Sequence, residues 1–345
     1  MSYPTEVLPV EGDLAGAPNL LRAADILRAG GLVAIPTETV YGLAANALDE
    51  KAARRIFEVK GRPADNPLIV HIAEMDELAP LTGGVSAQVS KLAQRFWPGP
   101  LTVVLPGSSA VPNLVRAGLE TVAVRMPAHP VARALIKAAG IPLAAPSANL
   151  SGKPSPTTAA HCFEDLNGLI PLILDGGPCG VGVESTVLDM TGNIPSVLRP
   201  GAVTPEMIGA ELGEVALDPA IYSEPDPLGP VASPGMRHTH YSPKAKVVVL
   251  KGAWESCKSF LSAEQGDGVW ALVFEEETVD CPLPALSLGP ERESEAHARV
   301  LFALLRELDE KGAKLVYARS PGEAGVGLAV SNRLIRAAGF TEVTV

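Results

Sequence analysis

Short apolar runs alternate with amphipathic helical segments along most of this chain, and one proline-rich stretch interrupts the alternation. The stretch spans residues 214–243 and contains Pro219, Pro225, Pro227, Pro230, Pro234 and Pro243. Because closely spaced prolines break helices and favour extended backbone, we predict a partly stiff linker there. The strand–helix alternation on both sides of the linker predicts α/β domains.

The first two hundred residues predict a mixed sheet with helices. Apolar residues at helical spacing indicate a helix over 19–29 that stops at Gly30, and Asp49 is expected to cap a helix that runs through Lys60. Helix-forming sequence is expected to resume after Gly42. The other predicted helices are 86–96, 130–139 and 157–165, and the predicted strands are 32–36, 67–73, 101–105, 121–125, 142–145, 171–174, 185–189 and 195–199.

The region after Val247 predicts a smaller, Rossmann-like α/β domain with a parallel sheet. Its predicted strands are 247–250, 268–274 and 314–318, and its predicted helices are 253–264, 291–311 and 322–338. No GxGxxG follows its first strand, so the sequence does not support dinucleotide binding. The predicted division of the chain is a first domain over 1–212, a linker over 213–244 and a second domain over 245–345.

Composition and charge narrow the class of protein. The 345 residues are 47% hydrophobic and carry a net charge of −11, divided as −4 before residue 210 and −7 after it, which argues against broad nucleic-acid binding. Four cysteines without CxxC pairing are predicted to be reduced thiols. No 18-residue apolar run and no secretory signal appear, so we predict a cytoplasmic protein without a membrane span.

Polar side chains cluster where predicted strands of the first domain end, which is where open α/β sheets build ligand crevices. The clusters supply arginines and lysines for phosphate or carboxylate, and hydroxyls and amides for orientation. They are "PTETVYG" (36–42), "KGRPADNPLIVHI" (60–72), "TVAVRMP" (121–127), "APSANLSGKPS" (145–155), "GGPCGVGVESTVLD" (176–189) and "VLRPG" (197–201).

Each of these residues also has a simpler interpretation. Ser147 is compatible with capping a turn, His71 with a hydrogen-bonded core histidine, and Cys179 with a buried structural thiol. Tyr41 is interpreted as a packing residue with one polar tip, and Glu38 is left without an assigned role. The chain has no P-loop, HExxH, GxSxG or kinase motif, so any nucleotide is bound without those devices.

Seven motifs, in order over roughly residues 20–210, resemble those of the YrdC-type threonylcarbamoyl-AMP synthases. They are "PTETVYGLAANA" (36–47), "KGRPADNPLIVHI" (60–72), "FWPGPLTVVL" (96–105), "VAVRMPAHP" (122–130), "APSANLSGKPSPT" (145–157), "GVESTVLD" (182–189) and "LRPG" (198–201). The linker and second α/β domain resemble the longer, two-domain form of that family. The resemblance implies a twisted open mixed sheet with a positively charged concave cavity.

The resemblance also implies a reaction in which ATP, L-threonine and bicarbonate or CO2 give threonylcarbamoyl-AMP, pyrophosphate and water. A separate tRNA threonylcarbamoyl transferase complex is then expected to use the product, with no stable nucleic-acid binding and no membrane partner for this chain. Mg²⁺ is expected to arrive with the phosphates of ATP, and its ligands are not assigned. The linker is expected to close over the cavity.

Site residues are carried over motif by motif from the resemblance. The L-threonine contacts are expected at Thr39, His71, Arg125 and Ser185. The ATP contacts are expected at Arg62, Asn66, Thr121, Ala145, Ser147, Ser155, Arg199 and Tyr241, with Lys60 near the phosphates and Asn149 supporting the same loop.

Other function classes remain open at this stage. A module that binds double-stranded RNA or tRNA would use the basic cavity, although the net charge and the 4% aromatic content count against it. Another acyl- or carbamoyl-adenylate enzyme is a second alternative, such as a carbamoyl-transfer maturation factor with a similar domain. Those factors are expected to carry zinc-finger and acylphosphatase-like regions, and this sequence has no cysteine pairing for zinc. The second domain could also serve a regulatory or scaffold role, which the sequence neither supports nor excludes.

Overall fold

The computed structural model describes residues 4–10, 12, 14–223 and 241–345 and forms two sheets flanked by helices. The strands are β1 (Glu6–Pro9), β2 (Val33–Ile35), β3 (Gly42–Asn46), β4 (Ile69–His71), β5 (Leu101–Pro106), β6 (Thr121–Arg125), β7 (Leu143–Ala144), β8 (Leu172–Asp175), β9 (Thr186–Asp189), β10 (Ser196–Arg199), β11 (Ala216–Leu217), β12 (Lys246–Lys251), β13 (Val269–Val273), β14 (Ala285–Ser287), β15 (Leu315–Arg319) and β16 (Glu342–Thr344).

The helices are α1 (Pro18–Arg28), α2 (Glu50–Lys60), α3 (Leu78–Leu81), α4 (Ala87–Phe96), α5 (Asn113–Arg116), α6 (Pro130–Ala139), α7 (Ala159–Leu166), α8 (Pro205–Leu212), α9 (Trp254–Ala263), α10 (Ser294–Glu310) and α11 (Gly327–Ala337). Within the described part of the chain, no helix is long and apolar enough to cross a membrane.

The first sheet is mixed, as predicted, and runs in the order β1-β8-β2-β3-β7-β4-β6-β5-β9-β10-β11. β4 pairs parallel with β6, whereas β7 pairs antiparallel with β3 and β4, and β5 pairs antiparallel with β6. Because side chains alternate between the two faces of a strand, Val70 packs into the helix-covered core while Ile69 and His71 point to the other face. That other face carries the cavity described below.

Local sequence signals account for the boundaries of the helices around this cavity. Asp49 caps α2 by accepting a hydrogen bond from the Lys51 backbone amide, and Gly61 ends the helix in the left-handed conformation with φ of 61°. Thr158 caps α7 by accepting from the His161 amide. Both helices therefore begin or end at the loops that build the cavity wall.

The expected return to helix after Gly42 is wrong, because Gly42–Asn46 is the strand β3. The run Leu43-Ala44-Ala45 has good helix propensity, but every one of its side chains is buried between two layers. β3 pairs antiparallel with both β2 and β7. Tertiary pairing and burial on both faces thus override a weak local preference.

The second sheet is entirely parallel, in the order β14-β13-β15-β12-β16. This agrees with the predicted parallel α/β domain, although the short strands β14 and β16 were not predicted. Helices α10 and α11 pack one face of this sheet against the first domain. Val40 and Val183 of the first domain join the same apolar cluster as Phe302 and Leu334 of these helices.

The predicted linker falls mostly outside the described residues, which exclude 224–240. The first part of the predicted linker is described and belongs to the first domain, because β11 pairs parallel with β10 and Ile221 is buried in the core of that domain. The expectation that the linker closes over the cavity concerns residues outside the described part, except at Tyr241. That residue is buried, has φ of 66°, and stacks on Phe302 with a centroid separation of 5.2 Å.

Candidate active site

A cavity lies over β4, β6 and β10 and beside the start of β9, on the face of the first sheet opposite Val70, and most of its lining side chains are buried. The space within it, including the part that is open to solvent, is about 580 Å³. Small and apolar residues such as Ile69 and Ala123 form part of the sheet surface there. The described lining residues are Thr39, Val40, Arg62, Ile69, His71, Arg125, Ala145, Pro146, Ser147, Asn149, Lys153, Ser155, Glu184, Ser185, Arg199 and Tyr241.

Eleven of the fourteen predicted site residues are in this lining. All four residues predicted to contact threonine are there, together with seven of the predicted ATP contacts, Arg62, Ala145, Ser147, Asn149, Ser155, Arg199 and Tyr241. Residues far apart in the sequence meet because β4 and β6 are parallel and in register, which sets His71 beside Arg125. The polar clusters thus contribute to one cavity. Some of its residues lie on the face of the sheet and others follow the ends of strands.

Arg125 is the most tightly held polar group on one side of the cavity. Its Nη1 donates to Thr39 Oγ1 at 2.9 Å, and its Nη2 lies 2.7 Å from Glu38 Oε1, as an ion pair without hydrogen-bond geometry. Burial disfavours the charge on Glu38, but Arg125 outweighs burial and holds the pKa of that carboxyl below its usual range. Glu38, left unassigned above, therefore balances a buried arginine.

Ser185 is fixed by two neighbours on the other side of Arg125. Its hydroxyl lies 2.8 Å from Thr102 Oγ1, and Arg199 Nη2 donates to it at 3.2 Å. Arg199 Nε also donates to the Ser185 backbone carbonyl at 3.1 Å. The position of Ser185 is thus set by β5 and β10, independently of any ligand.

Lys60 lies beneath the cavity wall and outside the lining, contrary to its expected place near phosphates. It is 3% exposed, and its Nζ donates to the backbone carbonyls of Ser147 and Asn149. Burial lowers the pKa of Lys60 well below its usual value. Lys60 therefore acts on the loop that carries Ser147 and Asn149.

Asn66 and Thr121 are also outside the lining. Asn66 is fully buried beside Arg62, and neither its amide nitrogen nor its amide oxygen has a hydrogen-bond partner among the described residues. Thr121 lies on the same face of β6 as Arg125 but four residues away, about 13 Å along the strand. Their assignment as ATP contacts stays a prediction.

The lining is positively charged although the protein is acidic. Three arginines and Lys153 face it, and burial lowers the pKa of Arg62 only to about 10, so that Arg62 is protonated at neutral pH. Glu184 is the one carboxylate among the described lining residues. Such a surface fits an anion such as a carboxylate or a chain of phosphates.

In the part of the chain that the structure describes, the cavity lining contains no cluster of carboxylates for Mg²⁺. Glu184 Oε1 accepts from the Ser155 hydroxyl, and Oε2 accepts from Arg333 Nε at 2.8 Å, so each oxygen already has a donor and the carboxylate charge is balanced by Arg333. Among the described residues, no group of three or more His, Cys, Asp or Glu side chains could hold a metal ion. Oxygen ligands for Mg²⁺ would have to come chiefly from a bound ligand.

Sequence reasoning missed the role of Glu184. Its motif "GVESTVLD" was singled out for Ser185, while the preceding carboxylate received no role. A charged residue between Val183 and Ser185, just before the buried strand β9, was the available signal, because a buried charge requires a partner. That partner, Arg333, lies 149 positions away and could not be identified from local pattern.

Two residues with alternative interpretations fit the simpler one. Burial raises the pKa of the Cys179 thiol to about 12, which disfavours the thiolate needed for a nucleophile. Tyr41 is fully buried and its hydroxyl donates to the Gly177 carbonyl at 2.7 Å, as expected of a packing residue with one polar tip.

His71 is buried in the floor of the cavity, and burial, followed by the charge of Arg125, lowers its pKa to about 3. Below the ordinary pKa of 6.5 the unfolded chain binds a proton at this position and the folded chain does not, so stability falls as the pH falls from 6.5 toward 3. We expect wild type to lose about 2 kcal/mol more of its unfolding free energy between pH 7 and pH 5 than His71→Gln. Urea titration at both pH values measures this, and equal losses would contradict a neutral buried His71.

Comparison with known proteins identifies the family. A family model described as "Telomere recombination", which covers Sua5, YciO and YrdC proteins, matches residues 25–201. A second, "Threonylcarbamoyl-AMP synthase, C-terminal domain", matches residues 203–339.

The threonylcarbamoyl-AMP synthases of Pyrococcus abyssi and Bacillus subtilis are relatives of nearly full length. The first is 46% identical over 94% of this chain and 95% of its own length, and the second is 47% identical over 93% of each. A putative threonylcarbamoyl-AMP synthase of Mycobacterium tuberculosis is shorter: it is 37% identical over 56% of this chain and 89% of its own length.

The fold also matches a solved structure over both sheets. The crystal structure of Pyrococcus abyssi Sua5 complexed with L-threonine superposes with a TM-score of 0.92 at 44% identity, covering 99% of this chain and 100% of that one. The chain belongs to the threonylcarbamoyl-AMP synthase family, in its two-domain form.

Proposed function

We propose that this protein condenses L-threonine, bicarbonate or CO2, and ATP into threonylcarbamoyl-AMP, with release of pyrophosphate and water. The observation that carries the proposal is the cavity itself, where buried Arg125 lies between Thr39 and Ser185 in a basic lining. A matching fold of 44% identity was solved with L-threonine. That combination supports an enzyme that binds an amino acid beside a polyphosphate.

The proposed division of the cavity assigns one side to threonine and the other to ATP. Arg125 pairs with the threonine carboxylate, and Thr39, His71 and Ser185 orient its amine and hydroxyl. Arg62, Arg199, Ser147, Ser155 and Tyr241 contact ATP, while Asn149 and Lys60 hold the loop of Ser147. The unpartnered amide of buried Asn66 supports a ligand group close to Arg62, since buried polar groups are nearly always hydrogen-bonded.

The reaction needs two bonds in sequence. The threonine nitrogen attacks the carbon of CO2, or of bicarbonate with loss of water, and gives a carbamate after loss of a proton. A carbamate oxygen then attacks the α-phosphorus, and the bond from that phosphorus to the pyrophosphate oxygen breaks. Such a displacement depends on positioning and charge stabilisation, which fixed arginines and hydroxyls supply. Exclusion of water protects both the carbamate and the adenylate.

We further propose that Mg²⁺ enters with the phosphates of ATP. Because the one carboxylate of the described lining, Glu184, is already paired with Arg333 and Ser155, the phosphates would be the main ligands. The ion would add charge neutralisation at the phosphates.

The domain boundaries and partners belong to the same proposal. The catalytic domain would span 1–212, the linker 213–244 and the second domain 245–345. The end of α8 at Leu212 and the start of β12 at Lys246 support these bounds, although β11 within the proposed linker adds a short strand to the first sheet. The product would pass to a tRNA threonylcarbamoyl transferase complex in the cytoplasm.

Pyrophosphate release from ATP tests the proposed function. We expect release to require both threonine and bicarbonate, with serine giving a lower rate because it lacks the methyl group that the site is proposed to hold. Omission of each substrate in turn is the control. Release that is independent of threonine, or RNA binding with a steep salt dependence and no pyrophosphate release, would contradict it.

A further inference from the structure

We propose that Arg333, on helix α11 of the second domain, is a positioning residue for the ATP side of the cavity in the first domain. The inference rests on the proposed function for the identity of the nucleotide. It gives the second domain a specific task, which is to hold Glu184 and Tyr241 where Ser155 and the nucleotide require them.

The contacts of Arg333 form a short chain that ends in the cavity lining. Arg333 is 0% exposed, and its Nε donates to Glu184 Oε2 at 2.8 Å. The other carboxylate oxygen of Glu184 accepts from the Ser155 hydroxyl. Both Glu184 and Ser155 line the cavity, so the orientation of Ser155 depends on a carboxylate that Arg333 fixes.

Arg333 also contacts the aromatic wall of the cavity. The ring of Tyr241 lies over its guanidinium, with 5.6 Å to the ring centroid, and the ring stacks on Phe302 of α10. A guanidinium over an aromatic face is attractive, the more so when both groups are shielded from water. Arg333 therefore holds two lining residues at once, Glu184 through an ion pair and Tyr241 through its ring.

A second arginine of the same domain holds the loop that carries Ser155. Arg306 on α10 donates from Nη2 to the Pro154 carbonyl at 2.6 Å and to Asp165 Oδ2 at 2.8 Å. Lys153, on the same loop, donates to Asp165 Oδ1 at 2.8 Å. Arg306 of α10 thus holds the backbone next to Ser155. The Ser155 side chain is held by Glu184, which in turn pairs with Arg333 of α11.

The buried ion pair is better suited to positioning than to stability. Replacing both partners of such a pair with apolar residues often leaves stability unchanged, whereas removing one partner leaves an uncompensated buried charge. Burial disfavours the charge on Glu184, but Arg333, Arg199 and the hydrogen bond from Ser155 together outweigh burial and hold the pKa of Glu184 below its usual range. A charged Glu184 at neutral pH can only accept hydrogen bonds, which fixes the Ser155 hydroxyl as the donor.

A second buried ion pair offers a matched control inside the second domain. Arg319 and Glu277 are each about 7% exposed, and Arg319 Nε lies 3.0 Å from Glu277 Oε1. Neither residue lines the cavity among the described residues. Arg319→Met therefore removes an arginine of similar burial and pairing without a contact to the ATP side.

The experiment compares Arg333→Met, Arg333→Lys and Arg319→Met in the full-length protein. We expect Arg333→Met to raise the dissociation constant of ATP, from calorimetry, and the KM for ATP by about tenfold, the scale of one displaced hydrogen-bonding group. The KM for threonine should stay within about twofold, because Thr102 and Arg199 hold Ser185 separately. Arg333→Lys keeps a charge beside Glu184 and should restore part of the ATP affinity.

Thermal unfolding of each variant separates positioning from general destabilisation. Arg319→Met should lower the melting temperature and leave ATP affinity unchanged. An unchanged ATP affinity in Arg333→Met, or an equal loss in Arg319→Met, would overturn the inference. If Arg333→Met does not fold, Glu184→Gln, which preserves volume, is measured in its place with the same expected split between ATP and threonine.

Direct ATP binding keeps the two proposals distinguishable. If the wild type binds ATP but makes no threonylcarbamoyl-AMP, the proposed function fails, while a tenfold weaker ATP affinity in Arg333→Met would still support the positioning role. If the wild type does not bind ATP, the positioning role fails as well.

Discussion

Substitution of Arg125 by Ala is expected to lower kcat/KM for threonine by about 100-fold or more, while the dissociation constant of ATP stays within about twofold. Arg125 is 4% exposed and holds Thr39 Oγ1 at 2.9 Å, so its removal takes away both the cation and a fixed hydroxyl. Without Arg125, the carboxylate of bound threonine would still lose its hydration in the buried site but would no longer be compensated by a positive charge. Pyrophosphate release at varied threonine concentration measures the effect.

The design must separate loss of binding from loss of stability, because Arg125→Ala leaves Glu38 buried without its counter-charge. The double variant Arg125→Ala/Glu38→Gln removes that unpaired charge and should regain stability without regaining threonine use. Arg95→Ala, at a side chain 62% exposed, is the control for removal of a surface arginine. A fall in ATP affinity instead of threonine use would show that the proposed division of the cavity is wrong.

Truncation after Leu212 is expected to reduce pyrophosphate release to about 1% or less of the full-length rate. The shortened chain lacks Tyr241, Arg306 and Arg333, which contribute to the cavity wall or hold its loops. It retains the strands from β1 to β10, so the first domain is expected to fold. Circular dichroism and thermal unfolding test the fold, and full activity of a folded truncation would contradict the proposed need for the linker and second domain.

The truncated chain can be compared with the shorter mycobacterial relative. It aligns with only 56% of this chain, so a protein of its length lacks a counterpart for much of the second domain. Here the Glu184 carboxylate faces a buried arginine from that domain. Removal of the domain leaves Glu184 without this partner, in addition to exposing Val40 and Val183, which pack against α10 and α11.

Much of the fold was predictable because local signals were strong. Asp49 and Gly61 bracket α2 by capping and by left-handed backbone, and the helix forms where expected. β3 was missed because its alanine-rich sequence favours a helix in isolation, and only pairing with β2 and β7 makes it a strand. Pairing between distant segments is not visible in local periodicity.

The candidate site was predictable for residues whose chemistry is apparent from the motif alone. Arg125 and Ser185 stand in clusters of polar groups that a strand would not otherwise need, and both line the cavity. Lys60 was misplaced because its sequence position does not reveal that its Nζ bonds to backbone carbonyls of the Ser147 loop. Arg333 was not considered because its partner Glu184 lies in the other domain.

The proposed reaction is tested most directly by the identity of its product. The protein is incubated with ATP, L-threonine and ¹³C-labelled bicarbonate, and the nucleotide products are analysed by mass spectrometry. We predict threonylcarbamoyl-AMP carrying one ¹³C atom, together with pyrophosphate, and no such product when threonine is omitted. A threonyl-adenylate without the label, or AMP formed at the same rate without threonine, would contradict the condensation proposed for this cavity.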